Sequence, residues 1–470
     1  MYGPGVCGRG NRRRLYHVAP MSSLESPAPA RHLDLTSGIG LVVSNMVGAG
    51  VFLSAGYMAQ DLGPGAILLA WGVGAVVAMA GARSYAQVAA WVPRSGGEYR
   101  FLSELLHPAL GYLAGWASLL VGFSAPIAVN ALAAGAFAAT LHPGLEPRTV
   151  SAIVIVVLTA FHAAGLRASK WTHNTLVAVD ALLLLGFVAV GLVLGQAHWP
   201  HWSPPNASPR LPVSAFAGSL FYIAFAFSGW NAAVYVASDF RDPRRDVPRS
   251  MLIGCAIVAL LYLAVNWVFV ANLSPEQGRA VFDYETTRVT LGHVVVRSLL
   301  GEAGAAAMSL LTFVALVAAA SAMTVVGPRV YAAMAEDGVL PSILRGRSGR
   351  PPASSILLQS ALALVLIFTH TLQQVLSNAG AILTLFAALV SCSIFRERLR
   401  PTGRPRPDGL TLACAALHVA STALMLYFGF GSGARLRLLL WIAVVALAAL
   451  AAYGVMRAAG RRMKGQESFQ

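Results

Sequence analysis

Two clusters of small residues interrupt apolar runs, and both suit the binding of a charged solute by main chain. The first reads Ser44-Asn45-Met46-Val47-Gly48-Ala49-Gly50-Val51-Phe52. The second, about 180 residues later, reads Phe225-Ala226-Phe227-Ser228-Gly229-Trp230-Asn231. In hydrocarbon an unpaired peptide group is costly, so helix-weakening residues at membrane depth make sense where backbone lines a cavity. A break after the first half-helix frees the amides that open the next one, and the helix dipole adds partial positive charge there. Gly48, Ala49 and Gly50 are thereby suited to a carboxylate, and their small size lets a ligand reach the backbone. The same glycines also suit plain close packing of helices. Breaks at matching places in two halves of a chain are the sequence pointer to a secondary transporter's site.

The elements that must carry these clusters are membrane spans. The chain has 470 residues, 57% hydrophobic and 11% charged, against about 25% charged for a soluble domain. Many runs exceed the roughly 18 apolar residues that mark a spanning helix. Twelve spans are expected, near 35–60, 65–90, 109–140, 149–166, 174–195, 213–238, 250–271, 303–333, 353–370, 373–395, 409–430 and 436–457. The fold class expected is an all-α polytopic membrane protein.

The net charge of +15 could suggest nucleic acid, but its placement points to a bilayer. With the N-terminus inside, 26 of the 34 Lys and Arg fall in cytoplasmic segments and 7 on the opposite side. That bias puts both termini in the cytoplasm of a multi-pass plasma-membrane protein. No nucleic-acid module is visible. Residues 1–31 form a basic tail expected to be disordered, 32–458 a single transmembrane domain, and 459–470 a second tail. Cys255, Cys392 and Cys414 fall in spans and Cys7 in the tail, so no structural disulfide is expected. The histidines show no metal-ligand spacing. No metal, cofactor or catalytic constellation is expected, so the chain does not read as an enzyme.

Four patterns follow one another in order. They are Gly48 to Phe52, Pro93-Arg94-Ser95-Gly96-Gly97-Glu98-Tyr99, Phe225 to Asn231 with Ser238 to Pro243, and Arg329 to Pro341. Together they resemble amino-acid permeases of the amino acid–polyamine–organocation superfamily, nearest the L-type and cationic amino-acid transporter branches. The resemblance covers roughly residues 32–458. It implies two inverted five-span repeats, about 35–195 and 213–395, with spans one and six discontinuous and two further helices over 409–457. It assigns the backbone oxygens of Met46, Phe225, Ala226 and Ser228 to the substrate's ammonium, and makes Phe225 and Trp230 gating aromatics. The second pattern, rich in turn residues, fits a cytoplasmic hinge or gate. The loops at 241–248 and 329–341 can pair charges across it, or simply serve as topology charge.

Spans one, three, six, eight and ten carry no Asp or Glu in their middle, which favours substrates with neutral side chains. Ser124, Asn130, Phe227 and Ser321 form the expected side-chain pocket. Cationic amino acids or polyamines are the alternative substrates, and a non-transporting amino-acid sensor is an outside one. Asp180, in the fifth span, stands where many relatives carry lysine. A carboxylate at that depth is protonated, paired or bound to a cation. It is read either as a proton or sodium coupling site or as a structural polar group. The loop from Leu141 to Arg148 lacks the cysteine by which heteromeric relatives join an accessory glycoprotein, so no disulfide-linked partner is expected.

Overall fold

The computed structural model describes residues 33–165, 170–195, 199–200, 202–203, 211–273, 289–338, 340–345 and 353–430, with a few single positions between 443 and 454. The chain is helical throughout these, apart from one isolated backbone bridge that joins Leu33 to Phe240. The first span is two helices. α1 (Leu35–Met46) starts at Asp34, whose carboxylate accepts the Ser37 amide at 2.8 Å. It stops at Met46, and α2 (Ala49–Met58) resumes after Val47 and an extended Gly48. α3 (Pro64–Trp91) has its proline at the helix start, where no N–H is needed.

The pattern at Pro93–Tyr99 leads into a short helix, α4 (Gly97–Leu105). The third span is α5 (Pro108–Ala117), a π-helical turn over Ser118–Phe123, and α6 (Ser124–Leu141). Pro126 accounts for the turn, since it has no N–H for the Gly122 carbonyl one helical turn back. α7 (Pro147–Ala163) and α8 (Lys170–Val193) follow. The sixth span is again divided, into α9 (Val213–Phe227) and α10 (Ala232–Tyr235). Then come α11 (Pro243–Ala271), α12 (Leu291–Glu336), α13 (Ala353–Thr369), α14 (Leu372–Leu399) and α15 (Gly409–Phe428).

Seven of these segments are long and apolar enough to cross a membrane, and four more are shorter apolar helices. They match the first eleven expected spans. Of the span expected at 436–457 only single positions are described, and both tails lie outside the described residues. α12 is two helices joined at a kink at Gly301, whose φ is 71°, and the part after the kink begins where the eighth span was expected. The chain is an all-α polytopic membrane protein.

α11 packs on α3 and α1, α12 on α6, and α14 on α9. Trp71, Tyr85, Phe227 and Tyr262 are fully buried between them. Large apolar side chains also stand exposed on outer faces, among them Leu69, Val156, Leu182, Leu260 and Phe368. An apolar belt of that extent on a packed helical body is a lipid-facing surface.

Candidate functional site

At the first break the helix ends leave carbonyls of α1 and amides of α2 without intrahelical partners. One of those amides is already engaged: Ala49 N–H donates to Asn130 Oδ1 at 3.0 Å. The Asn130 amide is held in that sense because its Nδ2 donates to the Pro126 carbonyl at 2.7 Å. Gly48 faces the same group, and a Cβ there would stand 3.2 Å from Asn130 Oδ1.

The second break meets the first. Gly229 has φ +109°, a conformation that favours glycine, and a Cβ on it would lie 2.6 Å from the Asn45 carbonyl oxygen. A Cβ on Gly50 would lie 2.4 Å from Ala226 Cα. These two glycines let the broken helices touch backbone to backbone. The Phe225 carbonyl accepts the Ser228 amide at 2.9 Å, tightening the last turn of α9. The Met46 and Ala226 carbonyls, one from each break, converge on a single group. The Tyr262 hydroxyl of α11 is 2.6 Å from Met46 O and 3.2 Å from Ala226 O.

A cavity lies beside the second break. Phe227, Ser228, Gly229, Trp230 and Asn231 line it, together with the π-turn residues Ser118, Gly122 and Phe123. Met323 and Val326 of α12, Thr384 of α14 and His418 of α15 complete much of the wall. Glu98 also reaches it. Its carboxylate is 7% exposed and accepts Tyr85 OH at 3.0 Å, Tyr235 OH at 2.8 Å and the Asn231 amide. No Lys or Arg forms an ion pair with it among the described residues. An acid absent from the middle of the spans is thus delivered to the cavity by the loop helix α4.

Around Glu98 the loops are fastened to one another. Ser95 and Ser238 exchange bonds, each amide donating to the other's hydroxyl at 3.2 and 3.0 Å. Arg329 pairs with Asp239 at 2.8 Å, just before the 241–248 loop expected from sequence as its partner. Arg100 and the Tyr99 hydroxyl both reach Asp337, at 2.8 and 2.6 Å.

The residues singled out from sequence separate into groups. Met46, Gly48, Ala49, Gly50, Ala226 and Ser228 come together at the crossing. Phe227 and Trp230 line the cavity, and Trp230 stands edge-on to Tyr85 at 4.6 Å. Phe225 instead packs in the cluster of Leu53, Val129 and Leu316. Ser124 is fully buried and donates to the Leu119 carbonyl of the π turn at 2.8 Å. Asn130 serves the Ala49 amide, not the cavity wall. Ser321 turns to α7, where its hydroxyl lies 2.8 Å from His162 Nε2. Asp180 is on α8, and its side chain lies outside the described residues. Sequence reasoning overlooked Tyr262 and the buried role of Glu98. A tyrosine in the apolar run of α11 was the one signal for the former, and Glu98 read as loop charge.

The profile of the family described as amino acid permease matches residues 33–453. The chain belongs to that family. It is similar to the large neutral amino acids transporter small subunit 2 of Rattus norvegicus, 25% identical over 419 residues, which are 86% of this chain and 76% of the relative. The b(0,+)-type amino acid transporter 1 of Oryctolagus cuniculus is 26% identical over 274 residues, 57% of this chain and 56% of that one. The Asc-type amino acid transporter 1 of Mus musculus is 27% identical over 270 residues, 54% of this chain and 50% of its own length. The permease is a transport-family membrane protein and not an enzyme.

Proposed function

We propose that this permease is a secondary transporter that moves amino acids, preferentially those with neutral side chains, by alternating access. One observation carries the reading: two interrupted helices cross at their breaks, with Gly50 on Ala226 and Gly229 on Asn45 O, beside a cavity. A zwitterion brings two opposite charges into a dry place, and each needs a partner to offset its desolvation. The amides at Gly48 and Gly50 serve the carboxylate, and the Ala49 amide, held by Asn130 Oδ1 in this state, joins them when that bond is exchanged for the ligand. The carbonyls of Met46, Phe225, Ala226 and Ser228 serve the ammonium. Trp230, on the cavity wall, acts as the gating aromatic, while Phe225, with its ring packed in the neighbouring cluster, contributes its carbonyl.

Glu98 is the one acid that reaches the cavity among the described residues, and its three neutral donors occupy it as an internal tie, which favours the neutral reading. The relatives' names, large neutral, b(0,+)-type and Asc-type, span more than one substrate range. Cationic amino acids and polyamines therefore belong in the same assay. The architecture proposed with this function is two inverted five-span repeats, about 35–195 and 213–395, in the plasma membrane with both termini cytoplasmic. The subunit works without a disulfide-linked partner.

Purified permease in proteoliposomes, screened against the twenty amino acids and against putrescine with and without a pH or sodium gradient, tests the reading. Accumulation of neutral amino acids supports it, and transport of polyamines alone would overturn it. Asp180 is proposed as the coupling position, for a proton or for sodium. Asp180→Asn should flatten the dependence of uptake on pH or on sodium. A wild-type profile in both series would remove Asp180 from coupling.

A further inference from the structure

Tyr262 belongs to neither broken helix, yet its hydroxyl stands where both of them end. It is fully buried. Its ring is wedged edge-on between Trp71, at 5.5 Å, and Phe227, at 5.3 Å. One turn along α11, the Asn266 side chain donates to the Tyr262 carbonyl at 2.8 Å. The side chain is thus held on a continuous helix that packs against α1, α2 and α3. The hydroxyl oxygen sits 2.6 Å from Met46 O and 3.2 Å from Ala226 O.

Two carbonyl oxygens aimed at one point repel each other. A hydroxyl proton between them relieves that repulsion and fixes both directions. The proton serves Met46 at the shorter distance, and each carbonyl keeps a second lone pair for another donor. The arrangement is a prepared acceptor pair, of the kind whose value lies in needing no reorganisation when a cation arrives.

We propose that Tyr262 is a positioning residue that sets the Met46 and Ala226 carbonyls for the amino group of the substrate. The proposal rests on the reading that these carbonyls receive an ammonium. It assigns a role to α11, which the interrupted helices alone do not imply. The hydroxyl's bonds go to the two carbonyls assigned to the ammonium, so its effect should be confined to ligands that carry an amine.

The test is Tyr262→Phe, which keeps the ring between Trp71 and Phe227 and removes one oxygen. In proteoliposomes, KM for the transported amino acid should rise about tenfold while kcat changes less than about threefold. Inhibition by the 2-keto acid with the same side chain, which has a carboxylate and no amine, should be unchanged. Val258→Ala, which removes buried volume one turn earlier on α11 but leaves the hydroxyl, should keep KM near wild type.

An unchanged KM in Tyr262→Phe would overturn the proposal. So would equal weakening of the amino acid and the keto acid, because that is what loosened packing produces. A Tyr262→Phe chain that fails to fold would overturn it as well, since the hydroxyl would then be holding the fold. The underlying reading fails separately: in that case the keto acid competes with the amino acid equally well in the wild-type protein.

Discussion

Asn130 shows how one side chain constrains a main-chain site. Its Oδ1 occupies the Ala49 amide while its Nδ2 is tied to Pro126. Asn130→Asp keeps an acceptor for Ala49 but loses the donor to Pro126. It also places a negative charge beside the amides offered to a carboxylate. Like charges 4 Å apart repel by about 1 kcal/mol in water and about 4 kcal/mol in a partly screened protein setting. KM for amino acids should therefore rise about tenfold or more, measured by uptake kinetics, with the protein still folded. Gly48 gives a graded companion. Its missing Cβ would lie 3.2 Å from Asn130 Oδ1 and 3.7 Å from Ala319 Cβ. Gly48→Ala asks Asn130 to yield by a few tenths of an ångström and should retain much of the uptake. Gly48→Val adds branches that also cover the Ala49 and Gly50 amides, and uptake should fall at least about tenfold. Equal rates for the two variants would show that no ligand approaches the backbone there.

Among the elements, α4 holds the most connections for its length. Glu98 ties it to α3 through Tyr85 and to α10 through Tyr235, and Asn231 adds a bond from the second break. Hydrogen bonds to a charged group contribute about 1.5–3 kcal/mol each. The nearby Arg329–Asp239 pair is partly exposed and contributes about 1 kcal/mol or less. Glu98→Gln should therefore loosen this face far more than Asp239→Asn does. The measurement is maleimide labelling of a cysteine placed at Ala232, a buried residue on the cavity wall. Labelling should quicken in the Glu98→Gln background and stay near wild type with Asp239→Asn. The two breaks could be read from sequence because glycine clusters inside apolar runs have a local physical meaning. Glu98 could not, since its burial depends on where three distant donors come to lie. The π turn was hidden for a similar reason: Pro126 fixes which carbonyl is freed, but only packing decides how the helix recovers. Ser124 and Ser321 looked like pocket residues by span position, and each hydroxyl instead found a partner at helical or interhelical reach.

For the molecule as a whole, composition and charge placement were the informative quantities. The order of apolar runs anticipated eleven of the helices, because each run has to cross the same hydrocarbon thickness. The helix that precedes the Gly301 kink was not anticipated, since it is a separate segment ahead of the eighth span. Orientation remains a statement about loop charge, and it is directly measurable. In a background with the four native cysteines replaced, His142→Cys should react with a membrane-impermeant maleimide in intact cells. Arg94→Cys should react only after permeabilisation. The reverse pattern would place the termini on the outer side.

The fastening between Ser95 and Ser238 has a consequence of its own. Two hydroxyls trading places on each other's amides carry no net charge. Salt that weakens the Arg329–Asp239 pair has nothing to act on there. The seam between these two loops should thus hold in dilute and concentrated media alike, and part when the loops are pulled away from each other.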